Sequence, residues 1–160
     1  GDMVGIQPLI EWDLAHTEGA LYLQTHATSP LVRPATFDKA VRAFVEQNDH
    51  DSLFTVSKLQ TRLYWPDGRP INHDPENMLR TQDLEPVFEE NSCIYVFTRD
   101  LFDRRGHRLG DSPLMLPIDP TEAIDIDEPH DFRMAEAIML QRLHEAGEGA
   151  DGSAQSGGAS

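Results

Sequence analysis

The sequence predicts an α/β domain built on a largely parallel sheet, and three features carry that expectation. A stripe of Phe37, Ala40, Val41 and Phe44 at helical spacing lies between two short apolar segments, ALYLQ (20–24) and DSLFTVSKL (51–59). A helix joining two strands is the βαβ unit, whose strands run parallel. SCIYVFT (92–98) is a continuous, aromatic-rich run of the kind found in a central strand. The 160 residues, 39% of them apolar, suffice for one domain with a real core.

The elements follow in order. GIQPLIEWDLAHTEG has Ile6, Leu9, Ile10 and Leu14 at helical spacing, with Trp12 off the stripe and Gly19 as a stop. After ALYLQ comes a loop, THATSPLVRP, and Pro34 suits the first turn of the next helix. DSLFTVSKL is the second strand. RLYWPDGRPIN carries a Pro-Asp-Gly turn between β-prone pieces, and predicts an excursion or hairpin. NHDPENMLRTQDLEPVFEEN reads as irregular, with one helical turn near Pro75–Leu79. SCIYVFT is the third strand, RDLFDRRG a short helix ending at Gly106, and PLMLPID a fourth strand. AIDID follows as a further short strand. A last helix spans about 129–146, with Phe132, Ala135, Ile138, Met139 and Leu143 inward. The domain thus covers 1–146, and 147–160 is a Gly/Ser-rich tail expected to be flexible.

Charge restricts the function classes. The formal balance is −15, from 28 acidic against 13 basic residues, and Lys39 and Lys58 are the lysines. Such a chain repels phosphate backbones, which argues against a nucleic-acid partner. It suits an acidic surface kept soluble in a high-salt cytoplasm. No apolar run approaches the roughly 20 residues of a membrane span, so the expectation is a cytoplasmic protein without membrane contact. One cysteine, Cys93, forms no internal disulfide, and the seven histidines show no metal-site spacing.

The chemistry concentrates in AIDIDEPHDF (123–132). In a strand Asp125 and Asp127 share one face and Ile124 and Ile126 the other. With Cα atoms roughly 6.5 Å apart, the two charges repel by roughly 2–3 kcal/mol at an effective dielectric of about 20. Water, a shared proton or a cation relieves that cost. On spacing alone, a solvated turn and a cation site both remain open.

Four blocks in order, LYLQTHATSPLVR, RTQDLEPVFEENSCIYVF, GDSPL and EAIDIDEPHDF, together resemble the C-terminal two-thirds of the acylneuraminate cytidylyltransferase family. That family makes CMP-sialic acid and related CMP-nonulosonates. The resemblance runs from about Gly19 to Leu140. It implies a three-layer α/β/α sugar-nucleotide transferase-like sheet, with the active site at the carboxyl ends of the strands. It implies that Gln24, from the LQ…TSPLR block, contacts substrate, although two extra residues precede Thr28-Ser29-Pro30-Leu31 here. Asn91 and Tyr95 match ENG-x-x-Y, with Ser92 in place of the glycine, and would face the sugar acid; on strand period 91, 93 and 95 share a face. Read without the family, Gln24 is a strand-end polar residue and Tyr95 a half-buried sheet aromatic. Arg80, and Arg62 near a family lysine, would reach the substrate carboxylate from a dimerisation arm (about 60–90) that serves the neighbouring subunit's site. Asp125 and Asp127 match DIDxxxDF, whose carboxylates hold catalytic Mg²⁺. Asp131 charges or caps the last helix.

The family's first strand and its R-x-x-G-K-N loop, which cradles the CTP phosphates, have no counterpart in this sequence. Two expectations follow. One is part of a cytidylyltransferase using CTP and a nonulosonic acid, homodimeric through the arm, and inactive without the missing portion. The other is a noncatalytic binding or assembly module derived from that fold.

Overall fold

The computed structural model describes residues 5–47 and 49–154. Four strands form one sheet: β1 (Leu21–Thr25), β2 (Ser52–Leu59), β3 (Val87–Thr98) and β4 (Pro113–Pro117), in the order β1-β3-β2-β4. The helices are α1 (Gln7–His16), α2 (Pro34–Glu46), α3 (Arg99–Arg105) and α4 (Pro129–Ala154). β3 runs antiparallel to both β1 and β2, while β2 and β4 are parallel. Three strands therefore share a direction, and the β1–α2–β2 crossover steps over the reversed β3. Among the described residues no helix is long and apolar enough to cross a membrane.

Two clusters form the core, one on each face. Ile10 and Leu14 of α1 pack with Leu101 and Phe102 of α3 on Tyr95 and Phe97 of β3. On the other face, Ala40 of α2 meets Leu53, Ile94, Val96, Cys93 and Leu116. Residues 93–97 of β3 are at most 2% exposed, which explains their unbroken apolar pattern. α3 is fixed at both ends: the Thr98 hydroxyl accepts from the Leu101 N–H, and Gly106, at φ 62°, closes it in the left-handed conformation glycine adopts freely.

Several elements differ from expectation. β3 begins at Val87, five residues ahead of Ser92, because Val87–Glu90 pair with the far half of β2. Ser92 sits at φ 58°, a conformation costing a non-glycine residue about 1 kcal/mol. Between the Phe54–Tyr95 and Val56–Glu90 pairs, β2 advances two residues and β3 five. This bulge breaks the strand period. Tyr95 therefore enters the α1/α3 cluster while Cys93 enters the α2 cluster, so 91, 93 and 95 do not share a face.

The excursion holds no helix at 75–79; instead a 3-10 turn forms at Thr81–Asp83, and Tyr64 bridges Pro70 around Gly68. Residues 123–127 join no ladder; the Ile126 N–H donates to the Thr28 carbonyl (2.9 Å) and the Ala123 N–H to the Asp119 carbonyl (3.2 Å). α4 continues through Gly147 to Ala154, beyond the expected tail boundary, and 155–160 lie outside the described residues. Its inward stripe is mostly open: Ala135 is buried, whereas Phe132 and Leu143 are 55% and 61% exposed.

α2 has no side-chain cap of its own. Glu122, 4% exposed, supplies one from the end of the chain. Its carboxylate accepts from the Arg33 N–H (2.9 Å) and the Thr36 hydroxyl (2.6 Å), placing negative charge at the helix N-terminus. Glu122→Ala removes the charge and both bonds, and the expected loss is about 1–3 kcal/mol. Urea denaturation checks it; a midpoint within error of the parent would refute the cap.

Candidate functional site

The bulge opens a cavity of about 260 Å³ lined by Ser57, Glu89, Glu90, Asn91, Ser92, Ala123, Asp125 and Asp127. β3 contributes one wall and the 123–127 segment the other. Although no ladder forms, that segment alternates as a strand does. Ala123, Asp125 and Asp127 face this cavity, while Ile126 lines an apolar one beside Leu31 and Phe132. Asp125 Oδ1 is buried without a hydrogen-bond partner, and Asp127 is exposed. Asp131 accepts from the Glu128 N–H (2.8 Å) and the Asp127 N–H (3.3 Å), capping α4 as expected and fixing the turn behind Asp127.

Asn91 is largely committed to the bulge itself. Its Oδ1 accepts from the Thr55 hydroxyl (2.7 Å) and the Cys93 N–H (3.3 Å), and its Nδ2 donates to Ser57 Oγ (3.3 Å). Tyr95 comes to the same opening from the opposite face. Its hydroxyl donates to Glu90, and it lies 3.2 Å from Ser92 Oγ. Burial first, then the Glu90 carboxylate, pushes the Tyr95 hydroxyl up, outweighing Ser92 and Arg108. It is therefore a protonated donor at neutral pH.

Gln24 pairs across from Tyr95 in the sheet. The Arg108 guanidinium lies over the Tyr95 ring, 3.5 Å from its centroid, and donates from Nη1 to Gln24 Oε1 (2.9 Å). Gln24 Nε2 is 3.2 Å from His26 Nε2. Gln24 and His26 also line an open cavity of about 550 Å³ with Trp12 and Thr28.

Of the residues predicted from sequence, Asn91, Asp125 and Asp127 thus share one cavity. Tyr95 reaches its lining, and Gln24 stands beside Tyr95. Arg62 and Arg80 do not join them within one chain. Arg80 pairs with Asp83 (2.6 Å), and Arg62 donates to the Leu79 carbonyl, both in the excursion. Arg108 and Glu90 were missed. Arg108 meets Gln24 across 84 residues of sequence, a separation no local pattern reports.

The loop carrying Arg108 is anchored by Asp51. Its carboxylate accepts from the Asp111 N–H (2.7 Å) and the Ser112 N–H (3.1 Å). A Cβ on Gly110 would meet that carboxylate at 2.1 Å, so the close approach requires glycine. Burial alone raises the Asp51 carboxyl, but the Ser112 and Asp111 N–H groups and the Ser52 hydroxyl outweigh it and hold it below the ordinary range. A depressed carboxyl contributes stability that is complete above the unfolded value of about 3.9 and lost as pH falls through the folded one. Asp51→Asn is expected to lose less stability than the parent between pH 5 and 2.5, read from urea midpoints; equal losses would refute the linkage.

No protein-family model matches the chain. The chain is 26% identical over 121 residues to post-translational flagellin modification protein B of Campylobacter coli, covering 72% of this chain and 51% of that protein. It is 27% identical over 125 residues to an N-acylneuraminate cytidylyltransferase of Oncorhynchus mykiss, covering 72% of this chain and 28% of that protein. The chain thus spans about half the length of the first relative and less of the second. In structure it matches 4-diphosphocytidyl-2C-methyl-D-erythritol synthase of Anaerococcus prevotii, with TM-score 0.61 and 12% identity over 86% of this chain and 67% of that one. In sequence the chain is similar to both of these proteins, and in structure it shares the mixed α/β fold of the Anaerococcus synthase.

Proposed function

We propose that this chain forms the sugar-acid and metal side of a cytidylyltransferase that transfers CMP from CTP to a nonulosonic acid. The observation that carries this reading is the cavity that collects Asn91, Asp125 and Asp127, with the Tyr95 hydroxyl at its lining. The similarity to a protein named N-acylneuraminate cytidylyltransferase supports the reaction class.

Asp125 and Asp127 fit a magnesium ion by their chemistry. Both are hard oxygen donors, and the buried Asp125 Oδ1 has no partner among the described residues. Among the described residues no three acidic, histidine or cysteine side chains form a cage. Two carboxylates are what Mg²⁺ takes from a protein when water and substrate phosphates complete its shell. Bound there, it would neutralise charge developing on the α-phosphate and the departing pyrophosphate. The chain's own residues do the rest. Asp131 holds the turn that presents Asp127, Asn91 fixes the bulge, and Gln24 offers its amide to the sugar acid. The sugar's anomeric oxygen bonds to the α-phosphorus as the bond to pyrophosphate breaks, and the hydroxyl proton passes to solvent water.

The test supplies CTP, N-acetylneuraminic acid and Mg²⁺ to the chain, alone and with the N-terminal half of a relative added. Pyrophosphate is expected only in the second case, since this sequence contains no R-x-x-G-K-N loop. In that mixture Asp127→Asn is expected to lower turnover at least 100-fold (about 2.7 kcal/mol) with an unchanged circular dichroism spectrum. Undiminished turnover would remove Asp127 from the metal site. Turnover in neither case, with sugar acid still bound, would favour the noncatalytic module.

The reading includes a homodimer through the excursion, where Arg62 and Arg80 would serve the neighbouring site. Tyr64, Trp65, Ile71, Met78 and Leu79 are between 43% and 59% exposed there, an apolar group of the kind an interface covers. Trp65→Glu is expected to convert a dimer to a monomer in light scattering. A monomeric parent would overturn this part.

A further inference from the structure

We infer that the outer edge of β1 is a docking surface for one further β-strand, an apolar segment that carries a basic side chain. The inference rests on the reading of this chain as one side of a nucleotidyl-transfer site, and it names the surface at which the other side joins.

The edge is open in its backbone. Among the described residues β1 pairs with β3 alone. Leu21 stands opposite Thr98, and the neighbouring Ala20 carbonyl accepts from the Arg99 N–H (3.1 Å), so Ala20 turns its backbone groups towards β3. In an antiparallel ladder that orientation recurs at every second residue, here Tyr22 and Gln24. The N–H and C=O groups of Leu21, Leu23 and Thr25 therefore point away from β3, and no hydrogen bond joins them to a described residue.

The edge is also undefended. Edge strands are ordinarily blunted by charge, proline or a bulge. β4, at the opposite edge, begins at Pro113 and ends at Pro117. Leu21–Thr25 holds neither proline nor charge, and Leu21 and Leu23 are each 37% exposed. Beside it α1 exposes Leu9 and Trp12. A cavity of about 280 Å³ opens between α1 and β1, lined by Ile10, Leu14, Leu23 and Thr25 among others, and the larger cavity of about 550 Å³ shares Gln24 and Thr25 with it. A strand set on this edge gains bonds to the three outward residues and lays alternate side chains over that apolar space. It also lies beside Gln24, which the proposed reaction uses.

Charge identifies the partner. Asp13 lines both cavities, is exposed and forms no ion pair with a described residue. A lysine or arginine on the incoming strand answers it. A second copy does not suit the place, since two chains at −15 each repel. The chain corresponds to 51% of the Campylobacter protein and 67% of the Anaerococcus synthase, so both hold polypeptide beyond the matched part. Polypeptide of that kind is the source to which the inference commits.

The experiment co-expresses the chain with the half of the Campylobacter protein that it does not match, and follows the complex by light scattering and amide hydrogen exchange. A one-to-one complex is expected, with exchange at Leu21, Leu23 and Thr25 slowed about tenfold or more relative to the chain alone. Leu23→Pro removes a donor that points outward and spares the β3 ladder, so it is expected to abolish the complex while the chain keeps its thermal midpoint. Leu23→Lys keeps every backbone donor and is expected to weaken the complex about tenfold. Asp13→Lys is expected to weaken it by a similar factor. Absence of a complex would overturn the inference, as would one that forms without protection at these amides or at parental affinity in the variants. A dimer of the chain alone that Leu23→Pro dissociates would also overturn it, because the edge would then pair with itself. Pyrophosphate in the CTP assay is read separately. A protected complex that releases none removes the cytidylyltransferase reading and keeps the docking surface, whereas parental release from a Leu23→Pro mixture does the reverse.

Discussion

The bulge in β3 is the constraint on which the site depends. A regular strand would send Glu90 and Tyr95 to opposite faces and bring Asn91 beside Tyr95. With Ser92 in the left-handed region and extra residues opposite Thr55, parity reverses. Glu90 and Tyr95 then meet, and Asn91 turns to Thr55. The strain at Ser92 is offset by the hydrogen bonds beneath it. Thr55 Oγ1 donates to Asn91 and accepts from the Ile94 N–H at 3.0 Å, so the irregular backbone leaves that donor satisfied. A glycine would adopt this φ without the cost, which gives a physical reason for the glycine the family pattern carries at this position.

Electrostatics then divide the site in two. On one side stand the carboxylates of the cavity, with a buried Asp125 oxygen that no protein donor reaches. On the other, the Arg108 guanidinium lies over the Tyr95 ring and donates to Gln24. An acidic cavity of this kind suits a cation. The two halves are separated by the Tyr95 hydroxyl, kept protonated by burial and Glu90.

Local periodicity made the fold legible where one element decides its own conformation. Pro34 and the Phe37–Phe44 stripe marked α2, Gly106 marked the end of α3, and the apolar run marked the centre of β3. It could not show that β3 lies between β1 and β2, since strand order depends on contacts far apart in sequence. Alternation in AIDID correctly placed both aspartates on one side, yet overstated the ladder, because hydrogen-bond partners are not written in the pattern. α4 shows the opposite failure. Its stripe was read as buried, and most of it is exposed, because a stripe states what could be covered and not what covers it.

The site residues that escaped the sequence share one property: each acts across the chain. Glu122 caps a helix whose first residue is 88 positions earlier, Asp51 holds a loop some 60 residues later, and Arg108 meets Gln24 across 84. These contacts are mutually dependent. The tight approach of Gly110 to Asp51 sets where the loop leaves α3, and the loop sets where Arg108 lands on Tyr95. Glu122 anchors the segment that ends in Asp125 and Asp127 against the start of α2. Both halves of the site are therefore suspended from the sheet by buried or part-buried carboxylates that accept backbone N–H bonds. For Asp51, whose carboxyl these bonds hold below the ordinary range, acid is expected to loosen the loop it anchors.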